Sequence, residues 1–206
     1  GDTVRGWAGP LSFAPHGDLL AVGYGEGIVR LWNVANRSIV SEVHERLSPA
    51  MAITFSPRCD DLVCGFGDGS VMLWKVLTPN ESATLLIPPG PGGVSSLTVS
   101  PGQTRVAAGY KNGEVRVWDV TQGAPACLME HRVQGRSESE VEVSALGFSP
   151  DESFLAVATM AGDVVRVLDI EAALVRSELR PPADTGPILS LAFSPDGRTL
   201  VVALSS

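Results

Sequence analysis

Apolar and polar positions in this chain are organised in short runs broken by turn residues, and residues 52–76, AITFSPRCDDLVCGFGDGSVMLWKV, show the arrangement at its clearest. Three runs rich in Val, Ile, Leu, Phe and Trp are separated by SPRCD and by GDG, where Pro, Asp and Gly favour tight turns. A Gly or Asn in the second turn supplies the positive φ that a two-residue hairpin needs. The pattern predicts a three-stranded antiparallel meander.

Nearly the same string returns along the chain. GEGIVRLWN at 25–33 is echoed by GDGSVMLWK at 67–75 and by KNGEVRVWD at 111–119. The residues that open each FSP-like turn, Phe13, Phe55, Val99, Phe148 and Phe193, lie 42, 44, 49 and 45 positions apart. The markers that end the third run, Trp32, Trp74, Trp118 and Leu168, lie 42, 44 and 50 apart. Within a repeat the two markers are separated by 19, 19, 19 and 20 residues, so length varies between repeats rather than inside them. A fourth strand fits in each remainder: residues 38–43, 83–88, 124–129 and 174–179.

Four strands in a period of about 40–45 residues, closed by a Trp-Asp-like pair, is the layout of a propeller blade. With FSPDG at 193–197, VRLWN at 29–33 and VRVWD at 115–119 in register, the chain resembles the WD-repeat β-propeller family over essentially its whole length. The resemblance implies an all-β fold of four-stranded antiparallel blades set radially around a channel, with loops on two faces that bind other proteins. Approximate repeats are 1–45, 46–90, 91–140 and 141–184, with a truncated fifth at 185–206. A seven-bladed ring of this period needs roughly 300 residues. An incomplete ring is therefore expected, completed by sequence outside these residues or, as the alternative, by a second chain.

Charged residues make up 18% of the chain and apolar ones 44%, in keeping with sheets buried on both faces. The formal net charge of −8 argues against a general binder of nucleic acid and favours partners with basic surfaces. No apolar run reaches the 18 or so residues of a membrane helix, so no membrane is expected among the partners. Cys59, Cys64 and Cys127 show no metal-ligand spacing. Cys64 reads as a small buried hydrophobe. This usage suggests a reducing compartment, with a cytoplasmic location expected and cytoskeletal or nuclear association as alternatives. GYGEG and GFGDG have no helix following them and are not phosphate cradles. No metal, cofactor or catalytic group is expected.

In WD repeats, a His before the first strand, a hydroxyl in the second, an Asp in the turn and the Trp of the third form a hydrogen-bonded tetrad. Carried onto repeat two, the resemblance gives His44, Cys64, Asp68 and Trp74, with His44 about two residues early and a thiol in place of the hydroxyl. Repeats one and three lack most of the set, having Val22 and Glu26, and Ala108 and Asn112. The family role is structural. His16 reads as a solvated turn residue and His131 as part of a long polar loop.

Eleven residues after the first marker stand Tyr24, Phe66 and Tyr110, with Thr159 in repeat four. These aromatics either pack beneath the adjoining loops or form a collar of interface anchors, in which case Tyr24 and Tyr110 should be partly exposed. Two residues before the third-strand marker stand Arg30, Arg116 and Arg166, with Met72 as the exception; stems packed between blades and guanidiniums at a rim or on a carboxylate are expected. The connection from Trp118 to Phe148 is the longest. Its residues Glu138, Glu140 and Glu142 form either a solvated face or a docking loop for a basic partner, with Ser137 and Ser139 as phosphorylation candidates. The segment IPPGPGG at 87–93 reads as a stiff exposed turn.

Together these features predict a noncatalytic protein-interaction scaffold within a larger WD-repeat protein. The alternative is a regulatory or sensor propeller domain of a larger signalling enzyme or ATPase.

Overall fold

A computed structural model describes residues 8–44, 48–58, 61–76, 84–90, 92–121, 125–134, 141–162, 164–181 and 186–205. The chain divides into two compact units, Gly1–Val94 and Ser95–Ser206. Every regular element among the described residues is a β-strand.

The first unit carries repeats one and two. Sheet one is the meander β1 (Ala8–Phe13), β2 (Leu19–Tyr24), β3 (Ile28–Asn33) and β4 (Ser38–His44). Sheet two repeats it with β5 (Ala50–Phe55), β6 (Asp61–Phe66), β7 (Val71–Lys75) and β8 (Thr84–Ile87). Alternation decides which side chains meet, because successive residues of a strand point to opposite faces. Ala21, Val29 and Leu31 of sheet one share a buried core with Phe55, Leu62, Cys64, Phe66, Met72 and Trp74 of sheet two. Each large side chain buried there contributes about 1.5–3 kcal/mol. The sheets approach so closely that a Cβ on Gly23 would stand 2.7 Å from the Cβ of Ala50. The opposite face of sheet one is open, with Leu11 63% and Phe13 56% exposed.

The second unit opens at β9 (Val94–Val99), whose first residue belongs to the other unit, and continues through β10 (Arg105–Tyr110), β11 (Glu114–Asp119) and β12 (Ala126–Arg132). Sheet four is β13 (Val143–Phe148), β14 (Phe154–Thr159), β15 (Val165–Asp169) and β16 (Leu174–Leu179). The fifth repeat has two strands, β17 (Ile188–Phe193) and β18 (Leu200–Leu204). The packing rule is the same: Ala107, Val115 and Val117 meet Leu146, Phe148, Leu155 and Leu168, and Ala156 and Ala158 meet Ile188 and Leu191.

The expected strands are present, with one shift. The outer strand of repeat three runs through 126–132 rather than 124–129, which places His131 in a strand and not in a loop. Val115 stands opposite it, and burial lowers its pKa. The tight turns hold Gly27, Gly69, Gly113 and Gly162 at φ of 77°, 83°, 81° and 69°, as the hairpin chemistry requires. Each outer strand also contains a β-bulge, which leaves Val40, Leu86, Leu128 and Arg176 without a register partner. Bulges of this kind twist an exposed edge and hinder pairing with another chain.

Candidate functional site

The repeated Arg of the third strand organises one corner of each sheet that carries it. Register sets Arg30 opposite Glu42, Arg116 opposite Glu130 and Arg166 opposite Glu178. Arg30 Nε donates to Glu42, and Arg166 Nε lies 3.0 Å from Glu178 Oε1. Arg116 is shared: its Nη2 is 2.5 Å from Glu114 and its Nε 3.4 Å from Glu130. The guanidinium also covers the aromatic ring that opens the tight turn, 5.5 Å from Tyr24 in repeat one and 5.8 Å from Tyr110 in repeat three. Such stacking is worth about 0.5–2 kcal/mol, more when water is excluded. The expected pairing of these arginines with carboxylates is present. The acids themselves were missed in the sequence, although Glu42 and Glu178 each stand 12 residues after their arginine.

Repeat two builds the same corner without charge. Phe66 replaces the Tyr, Met72 replaces the Arg, and register places Leu85 where the others have Glu. Phe66 is 2% exposed and Tyr110 1%, whereas Tyr24 is half-buried. An aromatic collar of exposed anchors is therefore not formed by these three residues: Phe66 and Tyr110 pack inward, as large rings do when a neighbouring sheet can cover them. The Tyr110 hydroxyl has no hydrogen-bond partner, and burial pushes its pKa up to about 12.

The structure does not join the four tetrad positions. His44 is the last residue of β4, 59% exposed at its side chain, and its Nε2 contacts Glu42 on the same face two residues back. The Asp68 carboxylate accepts from the Ser70 backbone N–H at 2.9 Å and from its hydroxyl at 2.6 Å. Trp74 is buried with Nε1 unpartnered. Cys64 is buried as expected, its thiol pushed up to about 12 by desolvation, which leaves it unreactive. His16 is exposed in its turn. Among the described residues no group of three or more His, Cys, Asp or Glu could hold a metal ion.

Of the long acidic connection, Glu138, Glu140, Ser137 and Ser139 lie outside the described residues. Glu142 is described and half-buried, and its carbonyl accepts from the Met160 N–H at 2.8 Å. The flanks of this connection pack on the Tyr110 turn: a Cβ on Gly113 would stand 2.8 Å from Val141, and the Val133 N–H donates to the Gly113 carbonyl. Residues 87–90 of the Pro- and Gly-rich segment are tied down similarly, since the Gly90 N–H donates to Asp68 O at 3.0 Å while Pro88 and Pro89 stay exposed; Pro91 lies outside the described residues.

The outer strands combine two of these features on the surface. The bulge residues Val40 and Leu128 are 47% and 38% exposed, and each precedes by two residues the carboxylate held by an arginine. Arg176 occupies the corresponding place before Glu178.

Comparison with known proteins fits this architecture. The small ribosomal subunit protein RACK1 of Drosophila melanogaster is 31% identical over 121 residues, covering 55% of this chain and 35% of that protein. The protein of the same name from Candida albicans is 30% identical over 115 residues, covering 53% and 33%. The small ribosomal subunit protein RACK1y of Oryza sativa is 31% identical over 114 residues, covering 53% and 31%. The chain thus spans about a third of the length of these curated relatives. The model of the WD domain, G-beta repeat, matches residues 2–33, 40–75, 83–119 and 177–206. The core of repeat four, where Leu168 replaces the Trp, falls outside those stretches and yet forms the same four-stranded sheet. With more than half of its residues matched, this chain belongs to the family of WD domain, G-beta repeat proteins.

Proposed function

We propose that the chain is a noncatalytic protein-interaction scaffold that docks basic partner surfaces on its outer strands. The observation that carries this reading is the recurrence of one surface pair: an exposed apolar residue on a bulge, Val40 or Leu128, beside an arginine-held carboxylate, Glu42 or Glu130. An apolar anchor next to an oriented charge is the composition that interface cores and rims combine. The arginine behind each acid fixes its orientation before a partner arrives, which reduces the ordering cost of binding. The net charge of −8 steers basic surfaces towards the chain.

The names of the relatives supply the first partner class to try. Co-sedimentation of the chain with purified small ribosomal subunits, repeated at rising salt, measures association directly. Replacing Val40 and Leu128 by Asp, and Glu42 and Glu130 by Gln, which leaves an oxygen acceptor for each arginine, is expected to weaken binding about tenfold or more while the circular dichroism of the sheets is kept. Binding that tolerates both sets of changes would place the contact elsewhere and sink the outer-strand reading.

A further inference from the structure

The first turn of each repeat has a fixed internal chemistry. In repeats two to five a Ser follows the first-strand marker, and its hydroxyl accepts the backbone N–H five residues on: Asp61 to Ser56 at 3.0 Å, Arg105 to Ser100 at 3.0 Å, Phe154 to Ser149 at 2.9 Å and Thr199 to Ser194 at 3.0 Å. In repeats four and five the same hydroxyl donates its proton to an Asp inside the turn, Asp151 at 2.5 Å and Asp196 at 2.6 Å. That Asp also accepts a backbone N–H two residues on, from Ser153 and Arg198. The turn thus carries donors converging on one carboxylate, as Asx-type turns do.

Repeat three lacks the acid, because Gly102 stands where repeats four and five have Asp. The donors are not left idle. Glu152, from the turn of repeat four, reaches across: its carboxylate accepts from the Gly102 N–H, from the Thr104 hydroxyl at 2.5 Å and from Ser100. Its carbonyl accepts from Arg105 Nη1 at 2.6 Å. Gly102 makes the room, since a Cβ there would stand 2.6 Å from Glu152 Oε1. Glu152 also sits at φ 62°, in a position where repeats one and five place Gly17 and Gly197 at φ 75° and 70°. Gln103 holds the same place in repeat three at φ 62°, so the strain of about 1 kcal/mol or more is common to both non-Gly turns, and what sets Glu152 apart is its carboxylate on the neighbouring turn.

We propose that the Ser100–Arg105 turn is a carboxylate-binding site whose ligand is Glu152 of the following repeat, and that this side chain latches repeat three to repeat four. A latch of this kind keeps the two turns in one register without bulk, leaving the sheets between them to be held by apolar packing. Burial works against the charge on Glu152, but the bonds from Thr104, the Gly102 N–H and Ser100 outweigh it and keep the group below the usual carboxylate range.

Backbone hydrogen exchange of the full chain tests this through three variants. Glu152→Gly removes the ligand while relieving the positive φ, so strain alone predicts a tighter turn. The latch predicts about tenfold faster exchange at the Gly102 N–H, with the Arg105 N–H still protected by Ser100. Glu152→Gln keeps the length and side-chain oxygen but loses the charge, and is expected to fall between. Gly102→Asp in the intact chain supplies a rival carboxylate where Glu152 binds; it is expected to expel Glu152 and speed exchange at the residue 102 N–H that Glu152 holds, while the same change in the Glu152→Gly background is tolerated. Unchanged Gly102 exchange in folded Glu152→Gly, or equal tolerance of Gly102→Asp in both backgrounds, would overturn the proposal.

Discussion

Repeats two and three occupy the same corner of the same kind of sheet with opposite chemistry. Repeat three uses Tyr110, Arg116, Glu114 and Glu130; repeat two uses Phe66 and Met72, with Leu85 opposite in register. No position has changed by itself. A guanidinium at this depth is tolerated only with carboxylates and an aromatic face around it, and once the Arg becomes Met a buried acid would be left alone. The corner is therefore one unit of two alternative kinds, and the backbone accepts either.

The sharpest way to break that equivalence is to mix the two kinds. Met72→Arg puts a charge at a site 4% exposed, beside Phe66 and Cys64 in an apolar cluster. A loss of about 3–5 kcal/mol is expected in urea unfolding. Adding Leu85→Glu should return part of it, because the register places position 85 opposite 72. A pair no better than the single variant would mean that the corners are not interchangeable.

The converse change is milder. Arg116→Met removes the cation from Glu114, which is largely buried, and from the more exposed Glu130. The expected cost is about 1–3 kcal/mol, with partial recovery when Glu114 is also made Gln. Tyr110→Phe should move the other way: its hydroxyl is buried without a partner, so its removal is expected to be neutral or to stabilise by up to about 2 kcal/mol. In Tyr24→Phe, Tyr110 is the sole phenol, and its absorbance at 295 nm is expected to rise only near pH 12. The sign follows from linkage: the folded pKa lies above the ordinary value of 10, so this contribution to stability is whole below pH 10 and is lost as pH rises towards 12.

The repeat was legible because it rests on local rules. Alternation fixes the strands, Gly at the hairpin fixes the tight turns, and equal spacing from marker to marker fixes the meander. Even repeat four, with Leu168 for Trp, could be placed by spacing alone. What lay hidden depends on partners distant in sequence. His44 looked like a tetrad member because its distance from the next strand was nearly right, but β4 continues through it, and strand periodicity puts it on the same face as Glu42. The depth of Phe66 and Tyr110 depends on a neighbouring sheet. Glu152 carries no signal of its own; its role depends on a missing Asp 50 residues earlier, at Gly102.

The smallest effect separates repeat one from repeat two by acid. Contacts from His44 and then Arg30 hold the Glu42 carboxyl below its ordinary value of 4.5. A depressed folded pKa contributes stability above the unfolded value and loses it as pH falls through the folded one. Because Glu42 is partly exposed, at 29%, screening limits the gain to about 1 kcal/mol or less. Native-state hydrogen exchange in β3 and β4, corrected for intrinsic rates, should therefore loosen relative to β7 as pH drops below about 4.5, since Phe66 and Met72 cannot titrate. Glu42→Gln should remove most of that difference. If the acid loosening of β3 and β4 persists in Glu42→Gln, the charge at this corner is not what distinguishes the two repeats.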